Sequence, residues 1–167
     1  ATIVPTVMYA GRWRIYSSAK RGVNWGPVNA NLELDTNPAI SMAISNQSEN
    51  VLYVGTAPVL TRSHVYVTTN GGTSFTNITG SLPDRYPVDL AVDPLNDQIA
   101  YVVLSGFGSG HLFRTSDRGA NWTDITGDLP DVPSSAVVVD PDNPNVLYFG
   151  NDIGVYVSTN TGATWEA

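Results

Sequence analysis

A chain of 167 residues that is 42% hydrophobic and 14% charged has the composition of a globular protein with a buried core, and this excludes a disordered one. Its formal charge of −7, from 8 basic and 15 acidic residues with no run of lysine or arginine, repels a phosphate backbone and excludes nucleic acid as a partner. No cysteine is present to form disulfides or thiolate metal sites, and no apolar run approaches the roughly 20 residues that span a bilayer, so a soluble chain without a membrane partner is expected.

Fifteen glycines and eleven prolines, spread as punctuation, predict many short strands rather than helices. The sequence opens at Ala1 with neither an initiator Met nor a basic-then-apolar leader, which sets the expectation that any signal peptide has been removed or lies outside it. Tyr9 begins a series continued by Tyr53, Tyr101 and Tyr148 at spacings of 44, 48 and 47. The last three close a common element at 44–54, 92–102 and 139–149: an apolar strand end, a polar Asp/Asn/Pro turn, then a strand rising to the tyrosine. A third strand follows, in which Arg14/Tyr16/Ser18, His64/Tyr66/Thr68, His111/Phe113/Thr115 and Gly154/Tyr156/Ser158 share one face. Each third strand runs into a polar turn closed by an aromatic, at 18–25, 68–75, 115–122 and 158–165. The aromatics are 50, 47 and 43 residues apart. A fourth strand then leaves through Gly-x-Leu-Pro at 80–83 and 127–130. Self-similarity at this period marks a repeat protein.

The turn has the pattern Ser/Thr-x-Asp/Asn-x-Gly-x-x-Trp/Phe. Its hydroxyl (Ser18, Thr68, Thr115, Ser158) and its Asx side chain (Asn70, Asp117, Asn160) are suited to bonding nearby amides. Its glycine (Gly22, Gly72, Gly119, Gly162) admits a left-handed backbone, and its aromatic (Trp25, Phe75, Trp122, Trp165) folds back over the turn. Lys20 stands where the others carry Asx, so the first turn is expected to hold less firmly. These segments resemble the Asp-box (BNR) repeat of sialidase-like and xyloglucanase-like β-propellers, which place one box between the third and fourth strands of a four-stranded blade. The resemblance covers essentially the whole chain and implies an all-β, partial β-propeller forming a single domain, 1–167. Two complete four-stranded blades, 31–83 and 84–130, are flanked by incomplete ones at 1–30 and 131–167. Their strands are expected at 39–46, 50–56, 63–69 and 74–79, then at 87–93, 98–104, 110–116 and 121–126. The first blade lacks an inner strand and the last an outer one; residues 1–5 have room for a stray strand but not for a blade. A propeller removes open sheet edges by closing into a ring, so each flank is expected to meet a neighbour, either the rest of its own polypeptide or other copies.

As the resemblance implies, sialidases of this class hold the substrate carboxylate with an arginine cluster and use a tyrosine–glutamate nucleophile pair with an aspartate acid/base. Arg12 and Arg14 are loosely similar to the family's Arg-Ile-Pro segment but lack its proline, so Arg14 reads as a strand arginine. Glycoside hydrolysis generally needs two carboxylates facing across a cleft. Asp93 and Asp140 occupy equivalent turns and belong to the repeat, whereas Asp89, near the start of an inner strand, and Asp152, between second and third strands, stand outside it. No catalytic residue is assigned. His64 and His111 are also equivalent, and on different blades they do not meet at one metal. The turn at 140–145 is oxygen-rich in the way calcium prefers, but its siblings lack the second acid and it reads as a plain turn. Neither metal nor cofactor is expected. Asn46, Asn77 and Asn121 head Asn-x-Ser/Thr triplets and are candidate N-glycosylation sites, the latter two on outer strands. The functional expectation is a secreted or cell-surface, non-catalytic module that binds carbohydrate or protein, or scaffolds a larger exported protein or assembly. The alternative is a fragment of a sialidase-like or xyloglucanase-like glycoside hydrolase whose active site needs further blades.

Overall fold

Four antiparallel sheets follow one another along the chain in a computed structural model that describes residues 6–167. Residues 1–5, and with them any stray strand there, lie outside the described residues. The first sheet has three strands, β1 (Met8–Gly11), β2 (Ile15–Ser18) and β3 (Gly26–Pro27). The second has four, β4 (Ala39–Ile44), β5 (Leu52–Thr56), β6 (His64–Thr68) and β7 (Thr76–Asn77). The third repeats it with β8 (Tyr86–Val92), β9 (Ala100–Ser105), β10 (Leu112–Thr115) and β11 (Thr123–Asp124). The last has three, β12 (Ser134–Val139), β13 (Leu147–Asn151) and β14 (Gly154–Ser158). Every sheet is a meander in sequence order, so the chain is a partial β-propeller of two complete blades between two incomplete ones. Among the described residues the only helical segment is a 3-10 turn at Asn29–Asn31, and no helix is long and apolar enough to cross a membrane.

Register shows that the sheets are copies. Ile44 faces Leu52, Val92 faces Ala100 and Val139 faces Leu147, and each inner strand carries one irregularity at the same place, between 39 and 41, 87 and 89, and 134 and 136. The residue just after each irregularity can reach toward the following blade. Ser41 Oγ donates to the Pro87 carbonyl at 2.5 Å, and Asp89 accepts the Val137 N–H at 2.9 Å.

The core lies between blades. Ile15, Leu52 and Val54 gather Tyr9, Val28, Leu34 and Phe75 between the first and second. Tyr53, Val65, Val67, Ile78 and Leu82 meet Leu90, Val102 and Phe113 between the second and third. Tyr101, Val103, Leu112 and Leu129 meet Val137, Phe149 and Trp165 between the third and fourth. A middle strand is therefore covered on both faces, which is why β5 and most of β9 are buried throughout and read as apolar runs without alternation. The outermost strands β3, β7 and β11 pair over two residues only, the short form in which an open edge is least hazardous.

Because the strands are antiparallel, successive connections alternate between the two ends of each blade. The turns between first and second strands share one end with the aromatic-closed turns. The loops between second and third strands share the other end with the linkers that lead from one blade to the next.

Candidate functional site

At the turn end, the four aromatic-closed turns share one hydrogen-bond scheme. The hydroxyl of Ser18, Thr68, Thr115 or Ser158 accepts the N–H of Gly22, Gly72, Gly119 or Gly162 at 2.9, 3.0, 2.8 and 2.8 Å. In three turns the hydroxyl in turn donates to the Asx oxygen of Asn70, Asp117 or Asn160, and that oxygen also accepts the N–H four residues on. Lys20 makes no such side-chain bond, so the first turn rests on the Ser18 hydroxyl and the backbone bond from the Val23 N–H to the Lys20 carbonyl. The two residues at the tip are left-handed in every copy: Arg21 and Gly22, Gly71 and Gly72, Arg118 and Gly119, Thr161 and Gly162. The aromatic reaches sideways to the preceding blade. Trp122 Nε1 donates to the Ile78 carbonyl at 2.7 Å and Trp165 Nε1 to the Ile125 carbonyl at 3.1 Å. Hydrogen bonds from Asn121, through its side-chain amide first and then its backbone N–H, hold the exposed Asp117 carboxyl below the usual carboxylate range.

The companion turns at this end are plain Asx turns. Asp93 accepts the Leu95 and Asn96 N–H groups, and Asp140 those of Asp142 and Asn143, so the oxygen-rich turn at 140–145 is bonded as its sibling is. Asn46 lies exposed in the corresponding turn of the second blade. Asn121 is exposed, but its amide donates to Asp117 at 2.7 Å. Asn77 is exposed on the edge strand β7, where its Oδ1 accepts both the N–H and the hydroxyl of Thr79.

At the opposite end, linker side chains clasp the loops. Asn37 is buried, and its Oδ1 accepts the successive N–H groups of Val59, Leu60 and Thr61 at 3.1, 2.8 and 3.2 Å. Asp35 gathers Thr56 Oγ1, Tyr66 OH and, at 2.9 Å, His64 Nδ1. Burial, and after it that carboxylate, push the Tyr66 phenol up to about 12. Asp84 accepts the Ser63 N–H at 2.8 Å, and Asp131 accepts the Gly108 N–H at 2.8 Å and meets His111 Nε2 at 3.1 Å. The two histidines thus pair with different linkers, His64 with the one before its blade and His111 with the one after. Asp89 is half-buried; desolvation raises its carboxyl, opposed by the Val137 N–H. The side chains of Asp152 and Glu33 have no hydrogen-bond partner among the described residues. Nor do any two carboxylates there share one, or any three His, Asp or Glu cluster to hold a metal.

A cavity of about 600 Å³ opens on the outer face of the first blade, with Arg12, Trp13, Arg14, Tyr16, Trp25 and the carboxylate of Glu33 in its lining. Arg12 and Arg14 therefore converge with three aromatics, a grouping the strand reading of Arg14 did not anticipate. On the other flank Val138, Tyr148 and Val155 lie exposed on the outer face of the last blade.

Sequence reasoning missed the clasping residues Asp35, Asn37, Asp84 and Asp131. The sequence carries a signal for two of them: Asp84 and Asp131 both follow Leu-Pro, at the same offset in two linkers.

The fold recurs in solved structures. An ancestral GH74 enzyme superposes with a TM-score of 0.78 at 23% identity, over 99% of this chain and 22% of that one. The GH74 xyloglucanase from Xanthomonas campestris gives 0.73 at 19% identity, over 97% and 28%. YCF48 bound to a D1 peptide gives 0.56 at 16% identity, over 97% and 77%. The chain thus spans between a fifth and a third of the length of the GH74 structures it resembles, and at these identities the likeness is one of fold. No curated protein sequence matches it. The Sortilin-Vps10 family, a family of propellers described as sortilin and neurotensin receptor 3, matches residues 63–167, more than half of the chain, and the protein belongs to that family.

Proposed function

We propose that the chain is a non-catalytic module of a larger exported propeller protein, that its four aromatic-closed turns are Asp boxes, and that it binds protein or glycan through the loop-and-linker end. The observation that carries this reading is the use of four carboxylates there: Asp35, Asp84, Asp89 and Asp131 are committed to hydrogen bonds that hold loops or blades together, whereas Asp152 and Glu33 have no partner among the described residues. A hydrolase keeps two carboxylates facing a cleft, one of them protonated. A protein or peptide is the ligand class placed first, because the family description names a receptor and the neighbour YCF48 holds a peptide. The receptor description also supports a cell-surface location. The boxes serve to lock each third and fourth strand, and the flanks pack against further blades on the same polypeptide or on other copies.

The second reading, a piece of a glycoside hydrolase, is favoured by the match of 99% of the chain to an enzyme fold and by the raised carboxyl of Asp89. Incubating the whole protein that contains this chain with xyloglucan and with sialyl conjugates separates the two. The module reading expects no new reducing ends. Hydrolysis that disappears in Asp89→Asn or Asp152→Asn would overturn it.

A further inference from the structure

We infer that the cavity on the first blade is a socket for the outer strand of a further blade, specifically for an Ile-Thr-Gly-x-Leu-Pro segment. This rests on the reading that the chain belongs to a larger propeller, and it names the chemistry of the surface that meets this flank. Its warrant is the repeat itself, which displays the same socket filled at each internal blade junction. Phe113 and Trp122, at the positions of Tyr16 and Trp25, pack with Ile78 and Leu82 of the preceding blade. Tyr156 and Trp165 pack with Ile125 and Leu129. Phe75 packs with Val28 and Leu34. In two of the three junctions the filling residues are the first and fifth of a shared run, Ile-Thr-Gly-Ser-Leu-Pro at 78–83 and Ile-Thr-Gly-Asp-Leu-Pro at 125–130.

Three further features show what the first blade awaits. Tyr16 is 39% exposed where Tyr66 and Phe113 are 8% exposed, and Trp25 is 43% exposed where Trp165 is 7%. The indoles of Trp122 and Trp165 each donate to the carbonyl of the filling isoleucine, whereas that of Trp25 has no acceptor among the described residues. The turn glycines Gly72, Gly119 and Gly162 lie directly on Val28, Ile78 and Ile125, whereas around Gly22 the closest groups are Met8 and Trp25 of its own blade. A β-branched residue with a free carbonyl, followed four residues later by leucine, satisfies all three.

The occupant is a blade additional to those described, not a second copy of this chain. Both Ile-Thr-Gly-x-Leu-Pro runs that a copy could offer are already packed inside its own junctions, with Leu82 and Leu129 buried. Tyr16 and Trp25 are interface positions of the repeat, while Arg12, Trp13, Arg14 and Glu33 also line the cavity, so a sugar is the competing occupant that the test includes.

The test uses this chain and two synthetic peptides, Asn-Ile-Thr-Gly-Ser-Leu-Pro and the same peptide with Ile replaced by Asp. The indole N–H resonance of Trp25 is identified by its loss in Trp25→Phe. The first peptide is expected to shift it saturably, the second to bind at least about tenfold more weakly, and Tyr16→Lys to abolish the shift. Trp25→Phe should still bind, because Phe75 fills that place in the second blade. A Trp25 signal unmoved by the peptide in a chain that circular dichroism shows to be folded overturns the socket. So does a shift produced instead by xyloglucan oligosaccharides. A concentration-dependent dimer that Tyr16→Lys dissolves and the peptide does not compete with would make a second copy the occupant. These outcomes are independent of any hydrolysis assay, so the socket and the module reading fail separately.

Discussion

Substituting Gly119 by alanine probes the contact that binds one repeat to the next. Two costs add at this position. The backbone is left-handed, with φ of 86°, which disfavours a side chain by roughly 1–2 kcal/mol. A Cβ there would overlap the Ile78 side chain, meeting its Cβ at 2.7 Å across the blade junction. Ile78 is buried against Phe113 and Trp122 and has little room to yield, so overpacking adds roughly 1–3 kcal/mol. Gly108 supplies the control. Its φ is 73°, yet nothing lies within 4 Å of its added Cβ, so it carries the backbone cost alone. Urea and thermal unfolding should therefore show Gly119→Ala losing about 2–5 kcal/mol, on the order of 5–15 °C for a chain of this size, and Gly108→Ala about 1–2 kcal/mol. A double-mutant cycle with Ile78→Ala should recover about 0.5–3 kcal/mol of the Gly119 loss. If Gly108→Ala costs as much as Gly119→Ala, or the cycle shows no coupling, the turn glycine does not seal the junction and the packing argument fails.

Three other outcomes are expected. Asp117→Asn should leave stability at pH 7 nearly unchanged, since Asn70 and Asn160 build the same turn with an amide. A carboxyl held below its ordinary value of 3.8 stabilises above that value and loses this as pH falls through the folded pKa. The wild type should thus weaken more than the variant on acidification, and parallel urea midpoints from pH 7 to pH 2.5 would refute this; Lys20→Ala, which removes no turn bond, should be silent. Trp122→Phe should cost about 1 kcal/mol by stranding the Ile78 carbonyl, and a loss indistinguishable from zero in urea would show that bond to be incidental. Asp89→Asn should be neutral or stabilising at pH 7, because a carboxyl raised by burial opposes folding once ionised, and the gap should close as pH falls through the carboxylate range; a variant destabilised at every pH would refute this.

The sequence by itself determined the repeat, its phase and the strand count. The hydroxyl and Asx of each turn act within eight residues, so their chemistry is legible locally, whereas the glycine and aromatic of the last three turns also meet the preceding blade. The bonds of Ser18, Asp117 and their equivalents fall within the turn, and the side-chain Asx bond is absent at Lys20. The apolar runs of β5 and β9 likewise announce strands covered on both sides. Tertiary structure alone decided which residues meet from different blades. Asp35 finds His64 29 residues away, Asn37 closes a loop 22 to 25 residues on, and Trp122 reaches a carbonyl 44 residues back. Nothing in the spacing of these residues foretells the pairings, because they depend on how one twisted sheet is laid against the next. Arg12, Trp13 and Arg14 join Tyr16 and Trp25 around one cavity for the same reason: a strand alternates its faces locally, but whether a face is covered depends on the neighbouring blade.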